Sequence, residues 1–163
     1  MIRPWHKEDR AFVANSWLRS FSYSHWAGFL DTEAYWREYT PLVDRLLDTP
    51  GVRVDVFCNP EDQDQIMAWV CWEPAPDHGP PILHYLFVKA AFRDSKAMKP
   101  QLGVKLLEHA GMAHGKRFNF TFRTQQWDRY RQTHRLNAHF SPEIVRSRRK
   151  YEEERAHRQR GAA

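Results

Sequence analysis

Ile82-Leu83-His84-Tyr85-Leu86-Phe87-Val88-Lys89 is the most strand-like run in the chain, apolar on both faces apart from His84 and Tyr85. A strand that buries both faces lies inside a sheet covered on both sides, so this run is expected to be central. Downstream, Pro100 to His114 reads as a helix with Leu106, Leu107 and Ala110 inward, ended by Gly115. Phe118, Phe120 and Phe122 then alternate as a further strand. Strand, helix and strand in that order make a parallel crossover, expected to be right-handed. Upstream, Val52, Val54 and Val56 alternate with Arg53 and Asp55, and Gln65 to Trp72 sets Ile66, Ala68, Val70 and Trp72 on one face. Asn59-Pro60-Glu61-Asp62 between them is turn chemistry. These two strands form an antiparallel hairpin leading, through a loop from Pro74 to Pro81, into the central run.

Ahead of the hairpin, Ile2-Arg3-Pro4 ends a short strand. Val13, Ala14, Trp17, Leu18 and Phe21 have the spacing of one helix face. A second helix opens at Asp31-Thr32-Glu33, where Asp31 or Thr32 can cap, and Thr40-Pro41 is expected to kink or restart it. Thr49-Pro50-Gly51 stops it. Near the other end, Gln125 to Arg131 forms a short helix, and Ser141-Pro142-Glu143 opens a last charged, helical stretch. Residues 1–140 thus make one α/β domain, an α+β arrangement of a mixed sheet flanked by helices. Residues 141–163 are a charged C-terminal tail.

A chain of 163 residues, 42% hydrophobic with seven tryptophans, is long enough for a well-buried core and too short for two ordinary domains. No apolar run reaches the roughly 18 to 20 residues that span a bilayer, and the first residues lack a signal-peptide pattern, so a cytoplasmic location is expected. Cys58 and Cys71 can meet across a hairpin or stay as buried reduced thiols, and the latter suits an intracellular chain. The net charge is +5, with 13 Lys and Arg against 5 Asp and Glu from Gly115 onward. That basic half suits an acidic partner or a phosphate-rich ligand, or is a solvated tail; readable nucleic-acid motifs are absent. No Cys/His set has zinc spacing, and no Gly-x-Ser-x-Gly or Walker-type loop occurs.

The element order, together with Val88-Lys89-Ala90-Ala91-Phe92-Arg93-Asp94-Ser95-Lys96-Ala97-Met98, resembles the GNAT acetyltransferase superfamily. There a buried strand runs into a loop of the form Gln/Arg-x-x-Gly-x-Gly/Ala that opens a helix. Arg93 stands at the first position of that motif and Phe92 at the aromatic before it, while Lys96 and Met98 occupy the two glycine positions. In this degenerate form the chain is similar to GNAT-like products encoded by tailed bacteriophages. The resemblance implies acetyl-coenzyme A as cofactor. Its acyl carbonyl would meet Leu86, Phe87 and Val88, and its phosphates Arg93, Asp94, Ser95, Lys96, Ala97, Met98 and Lys99. Glycine would let backbone N–H groups approach a pyrophosphate closely; Lys96 and Lys99 offer point charges instead.

Acyl transfer to an amine requires a polarised carbonyl, a base for the ammonium proton and an acid for the thiolate. The family's glutamate position, counted back from Arg93, is Ile82, which cannot accept a proton. His84 projects to the same face two residues on and is read as a replacement base or as a core histidine. Glu73 is the second candidate base, or a strand-end carboxylate. Tyr130 falls where the resemblance places the general acid, or is a packing tyrosine. The expected function is an acetyl-coenzyme A-dependent N-acyltransferase whose acceptor is an amine of a protein or small molecule. The alternative is a GNAT-fold protein without catalysis that binds a host or assembly partner protein.

Overall fold

A computed structural model describes residues 1–75, 79–93, 102–112 and 115–145. Six strands lie side by side in chain order: β1 (Ile2–Pro4), β2 (Arg53–Cys58), β3 (Ile66–Glu73), β4 (Ile82–Val88), β5 (Phe118–Phe120) and β6 (Ala138–Phe140). β1 to β4 pair antiparallel, while β4–β5 and β5–β6 are parallel. Helices α1 (Arg10–Ser22) and α2 (Thr32–Asp48) cover one face, and α3 (Leu102–His109) and α4 (Gln125–Thr133) the other. β4 is interior, as its two apolar faces require.

Each face has its own core. On the α1–α2 side Trp17 lies fully buried, stacked on Tyr85 at 5.0 Å and edge-on to Phe122 at 5.0 Å, with Trp69 at 5.6 Å. On the α3–α4 side Leu83, Leu106, Leu107, Phe118 and Phe120 pack with Trp127. Cys58 and Cys71 are buried and unbridged; burial pushes the Cys71 thiol well up, so it stays a neutral core group.

Several elements differ from the sequence reading. β6 was not expected, because Ala138-His139-Phe140 is too short to show alternation. α2 runs unbroken through Pro41, which is exposed, so solvent can serve the carbonyl that the proline leaves unpaired. Asp31 is the cap of this helix, accepting from the Ala34 amide at 2.8 Å. α3 ends before Gly111 rather than at Gly115. Gly111 takes φ 74°, its N–H bonds Glu108 O, and Met112 N–H bonds Leu107 O, the paired bonds of a Schellman cap. Pro100 and His114, the expected ends of that helix, lie outside the described residues, as does the tail beyond Val145.

Phe122 is the most consequential difference. Alternation would put it beside Phe118 and Phe120, yet β5 stops at Phe120 and Phe122 joins the opposite core against Trp17 and Phe21. The chain therefore leaves β4 just where a longer β5 would have stayed beside it. A bulge in β3 similarly turns Ile66 to the α1–α2 side, away from Ala68 and Val70.

α3 approaches β4 and α4 most closely at Gly103. A Cβ there would stand 2.7 Å from the Tyr130 hydroxyl oxygen, 3.2 Å from its Cζ and 3.3 Å from Leu86 Cδ2. Alanine improves helix propensity by about 1 kcal/mol, but forced overlap in a packed site costs ~1–3 kcal/mol. Gly103→Ala is accordingly expected to lower stability in urea unfolding. An unchanged or raised midpoint would show that the Tyr130 ring moves aside freely.

Candidate active site at the parting of the sheet

β4 carries a bulge at the point where function is expected. Cys71 pairs with Tyr85 while its neighbour Trp72 pairs with Leu83, so His84 is the extra residue. Leu83 packs on the α3–α4 side, whereas Tyr85 packs with Trp17 on the α1–α2 side. Without the bulge, those two residues would share a face.

His84 is fully enclosed, with its side chain 0% exposed. Nε2 lies 2.7 Å from Glu73 Oε1 and Nδ1 lies 2.9 Å from Thr121 Oγ1. A carboxylate accepts, so the Nε2–H donates to Glu73 and Nδ1 accepts from the Thr121 hydroxyl. Both nitrogens are thereby occupied, and His84 has no atom left to receive a ligand's proton directly. Glu73, with its side chain 13% exposed, is the member of the pair that reaches the surface. It pairs across the ladder with Ile82. The two expected base candidates thus form one buried hydrogen-bonded unit. Thr121, which sequence reasoning missed, completes it, and no spacing rule links a threonine to a histidine on another strand.

Beyond this unit the sheet parts. β4 and β5 pair at Ile82–Asn119 and Leu83–Phe120, and Thr121 N–H still reaches Leu83 O at 3.1 Å. β3, by contrast, follows β4 to Val88, and Lys89 N–H bonds Met67 O. Antiparallel residues alternate between facing and turning from their partner. Lys89, Phe87 and Tyr85 therefore direct their amides toward β3. Leu86 and Val88 direct theirs into the opening that β5 has left.

Tyr130 stands on the α3–α4 side of that opening. Its hydroxyl is buried beside Gly103 and Leu86, without a hydrogen-bond partner among the described residues. Burial, with a smaller contribution from Glu108, pushes its pKa up, so the group remains a protonated donor. Buried polar atoms are nearly always paired, and such an orphan marks a place where a ligand atom fits. The signal available in the sequence was Gly103, a lone glycine inside an otherwise helical pattern.

Arg93 closes the end of β4. Its Nε–H donates to Val88 O at 2.7 Å and its guanidinium lies over Phe87 at 5.9 Å. Beside it an open groove of about 450 Å³ runs between α1, the loop after it and the start of α4, touching Arg19, Ser20, Tyr23, Phe87 and Gln126. Ser20 shares a 2.8 Å hydrogen bond with the Tyr85 hydroxyl, whose pKa burial pushes up to about 12. Glu73, His84 and Tyr130 do not line this groove; the α1 residues that do were not singled out by the sequence. Asp94, Ser95, Lys96, Ala97, Met98 and Lys99 lie outside the described residues.

No family model matches the sequence, and neither does any curated protein. Solved structures do. A structure titled histone acetyltransferase HPA2 and related acetyltransferase, from Corynebacterium glutamicum, matches with a TM-score of 0.55 at 11% identity, over 82% of each chain. A candidate acetyltransferase from Pyrococcus furiosus matches with a TM-score of 0.56 at 15% identity, over 80% of this chain and 90% of its own. At such identities the likeness is one of architecture: the mixed six-stranded sheet flanked by helices is the GNAT fold.

Proposed function

We propose that the protein is an N-acyltransferase that takes its acyl group, acetyl by preference, from coenzyme A and passes it to an amine. The observation that carries this reading is the buried Tyr130 hydroxyl beside Leu86, unpartnered among the described residues, at the opening into which the Leu86 and Val88 amides are turned. When bound, an acyl thioester supplies the activated carbonyl. Leu86 and Val88 N–H groups donate to its oxygen, where negative charge develops as the amine adds. Tyr130 gives its proton to the departing sulfur. Glu73, held by His84, takes the ammonium proton through water, since His84 stands roughly 7 Å along the strand from Leu86. The residues present fit the group on both counts, a donor without an acceptor and amides without a strand. Lys96 and Lys99 are the cations for its phosphate end, and Arg93, which lines the groove beside α1, is left to the acceptor.

The position of Glu73 bears on one departure from the family pattern. The expected glutamate position holds Ile82, but Glu73 is the cross-strand neighbour of Ile82. Directly opposed residues hold their Cβ atoms about 4.5–5.5 Å apart. The carboxylate is therefore supplied to nearly the same place from the adjacent strand.

A second reading, a binding module without catalysis, is favoured by a different feature. The loop after α1 exposes Tyr23, Trp26, Phe29 and Leu30, with Phe29 78% exposed, and such apolar groups suit a protein partner. Calorimetric titration with acetyl-coenzyme A and coenzyme A separates the two readings. Lys96→Gly combined with Met98→Gly extends the test. Weakened binding after the change supports a rebuilt phosphate site, and tightening from an undetectable start supports a binding module.

Tyr130→Phe is expected to slow acyl transfer by about 10²-fold while leaving coenzyme A affinity intact. Because the hydroxyl has no partner to lose, the melting temperature should hold or rise. A marked fall in melting temperature would instead give the hydroxyl a structural role. Glu73→Gln keeps the hydrogen-bonding shape near His84 but removes the base, with an expected loss in rate of the order of 10²–10⁴-fold. His84→Ala should cost less in rate and more in stability, about 1–3 kcal/mol, by leaving the buried Thr121 hydroxyl without its imidazole partner and a cavity beside it. The reverse ranking of Glu73 and His84 in rate would return the base role to the histidine.

A further inference from the structure

The groove beside Arg93 has a charge pattern that selects among amines. Among the described residues no carboxylate lines it, while two guanidinium groups, Arg19 from α1 and Arg93 from the end of β4, do. Neither arginine pairs with a carboxylate among the described residues. The acidic side chain nearest in α4, Asp128, is held by Arg123 at 2.8 Å and Arg131 at 3.0 Å. Arg93 uses Nε on Val88 O, which fixes the plane and leaves its Nη edge for a ligand.

Two of the groove's hydroxyls are engaged within the protein. Ser16 Oγ accepts from Trp69 Nε1 and donates to Val13 O, and Ser20 joins the Tyr85 hydroxyl. Beside the neutral groups of Tyr23, Gln125 and Gln126, the charged recognition chemistry among the described residues is cationic. Phe87 forms an apolar surface, and Tyr23, 89% exposed, stands at the edge with its ring uncovered. Such a lining repels polyamines, aminoglycoside-like polycations and lysine-rich peptides, each of which calls for carboxylates.

We infer that the acceptor is a small amine that also carries an anion, a carboxylate or a phosphate, on an apolar body, with Arg19 and Arg93 receiving the anion. The inference rests on the acyl-transfer reading for the word acceptor, and on the groove alone for the anion. Binding and turnover are therefore measured separately.

Calorimetry on the full chain uses L-phenylalanine, L-phenylalaninamide, O-phosphoethanolamine, ethanolamine and spermidine, and thiol release from acetyl-coenzyme A is followed with each. L-phenylalanine is expected to bind on the order of 5- to 10-fold more tightly than its amide, the modest factor reflecting two solvent-facing arginines. The difference should shrink as salt is raised. Arg19→Gln, at an exposed position on α1, should erase most of it and leave the amide's affinity unchanged. A preference for O-phosphoethanolamine over both ethanolamine and L-phenylalanine assigns the anion as phosphate. Equal affinity for acid and amide together with equal affinity for O-phosphoethanolamine and ethanolamine, tightest binding of spermidine, or no binding of either anionic amine overturns the inference. Thiol release with spermidine and not with the anionic amines overturns it too, while sustaining acyl transfer. An anion preference in binding with no thiol release from any amine does the opposite: the anion site stands and acyl transfer falls.

Discussion

The acyl-transfer reading of this protein depends on β5 leaving β4 after Leu83. An interior strand ordinarily has its backbone groups claimed on both sides, and a buried amide without a partner costs free energy comparable to a lost hydrogen bond. Here β3 holds β4 to Val88 while β5 lets go at Phe120, so the sheet is kept on one side and opened on the other. What draws β5 away is visible in the packing. Phe122 crosses to the α1–α2 core and fills space against Trp17 and Phe21, a gain in buried aromatic area that continued pairing would forfeit. The opening is thus a consequence of core packing, and it creates a place for a polar ligand group without any polar side chain in β4 itself beyond the bulge.

The sheet also separates the two groups to which the proposed reading assigns proton transfer. Tyr130 lies among apolar groups on the α3–α4 side, where burial keeps its proton on. The Glu73–His84–Thr121 unit lies past the bulge, where Tyr85 and Phe87 turn to the α1–α2 side. A group meant to give a proton and a group meant to take one would neutralise each other if they touched. A strand between them, with its amides turned into the gap, keeps them apart while leaving both within reach of one ligand. On the proposed reading the sulfur departs toward one face and the amine arrives from the other.

The sequence made some of this legible and hid the rest for physical reasons. β4 could be read because burial on both faces demands apolar residues on both parities, a demand that β3 meets as well. Glu73 and His84 stood out as polar groups at a strand end and inside an apolar run, and Tyr130 through the place that the resemblance gives it. The bulge at His84 could not be read, because it is a mismatch between two strands and leaves no mark on either alone. For the same reason Thr121 escaped notice and Phe122 was placed on the wrong face. β6 was missed because three residues cannot establish a period. Pro41 misled because the cost of a proline in a helix depends on whether water reaches the stranded carbonyl, which is a tertiary fact.

The displacement of the carboxylate from the Ile82 position to Glu73 shows what the fold constrains and what it leaves free. Chemistry requires an acceptor at a certain point in space, at a certain distance from the gap in the sheet; it does not require that the acceptor come from β4. Antiparallel pairing makes cross-strand neighbours nearly interchangeable in position, so a carboxylate can change strand with little change of place. The exchange has a structural consequence. A glutamate on β3 faces a new neighbour, and His84, turned out by the bulge, hydrogen-bonds it and is in turn fixed by Thr121. On the proposed reading histidine orients the base and is not itself one. An isoleucine where a glutamate is anticipated is therefore weak evidence for lost function in this fold, unless the partner strand has been read in register with it.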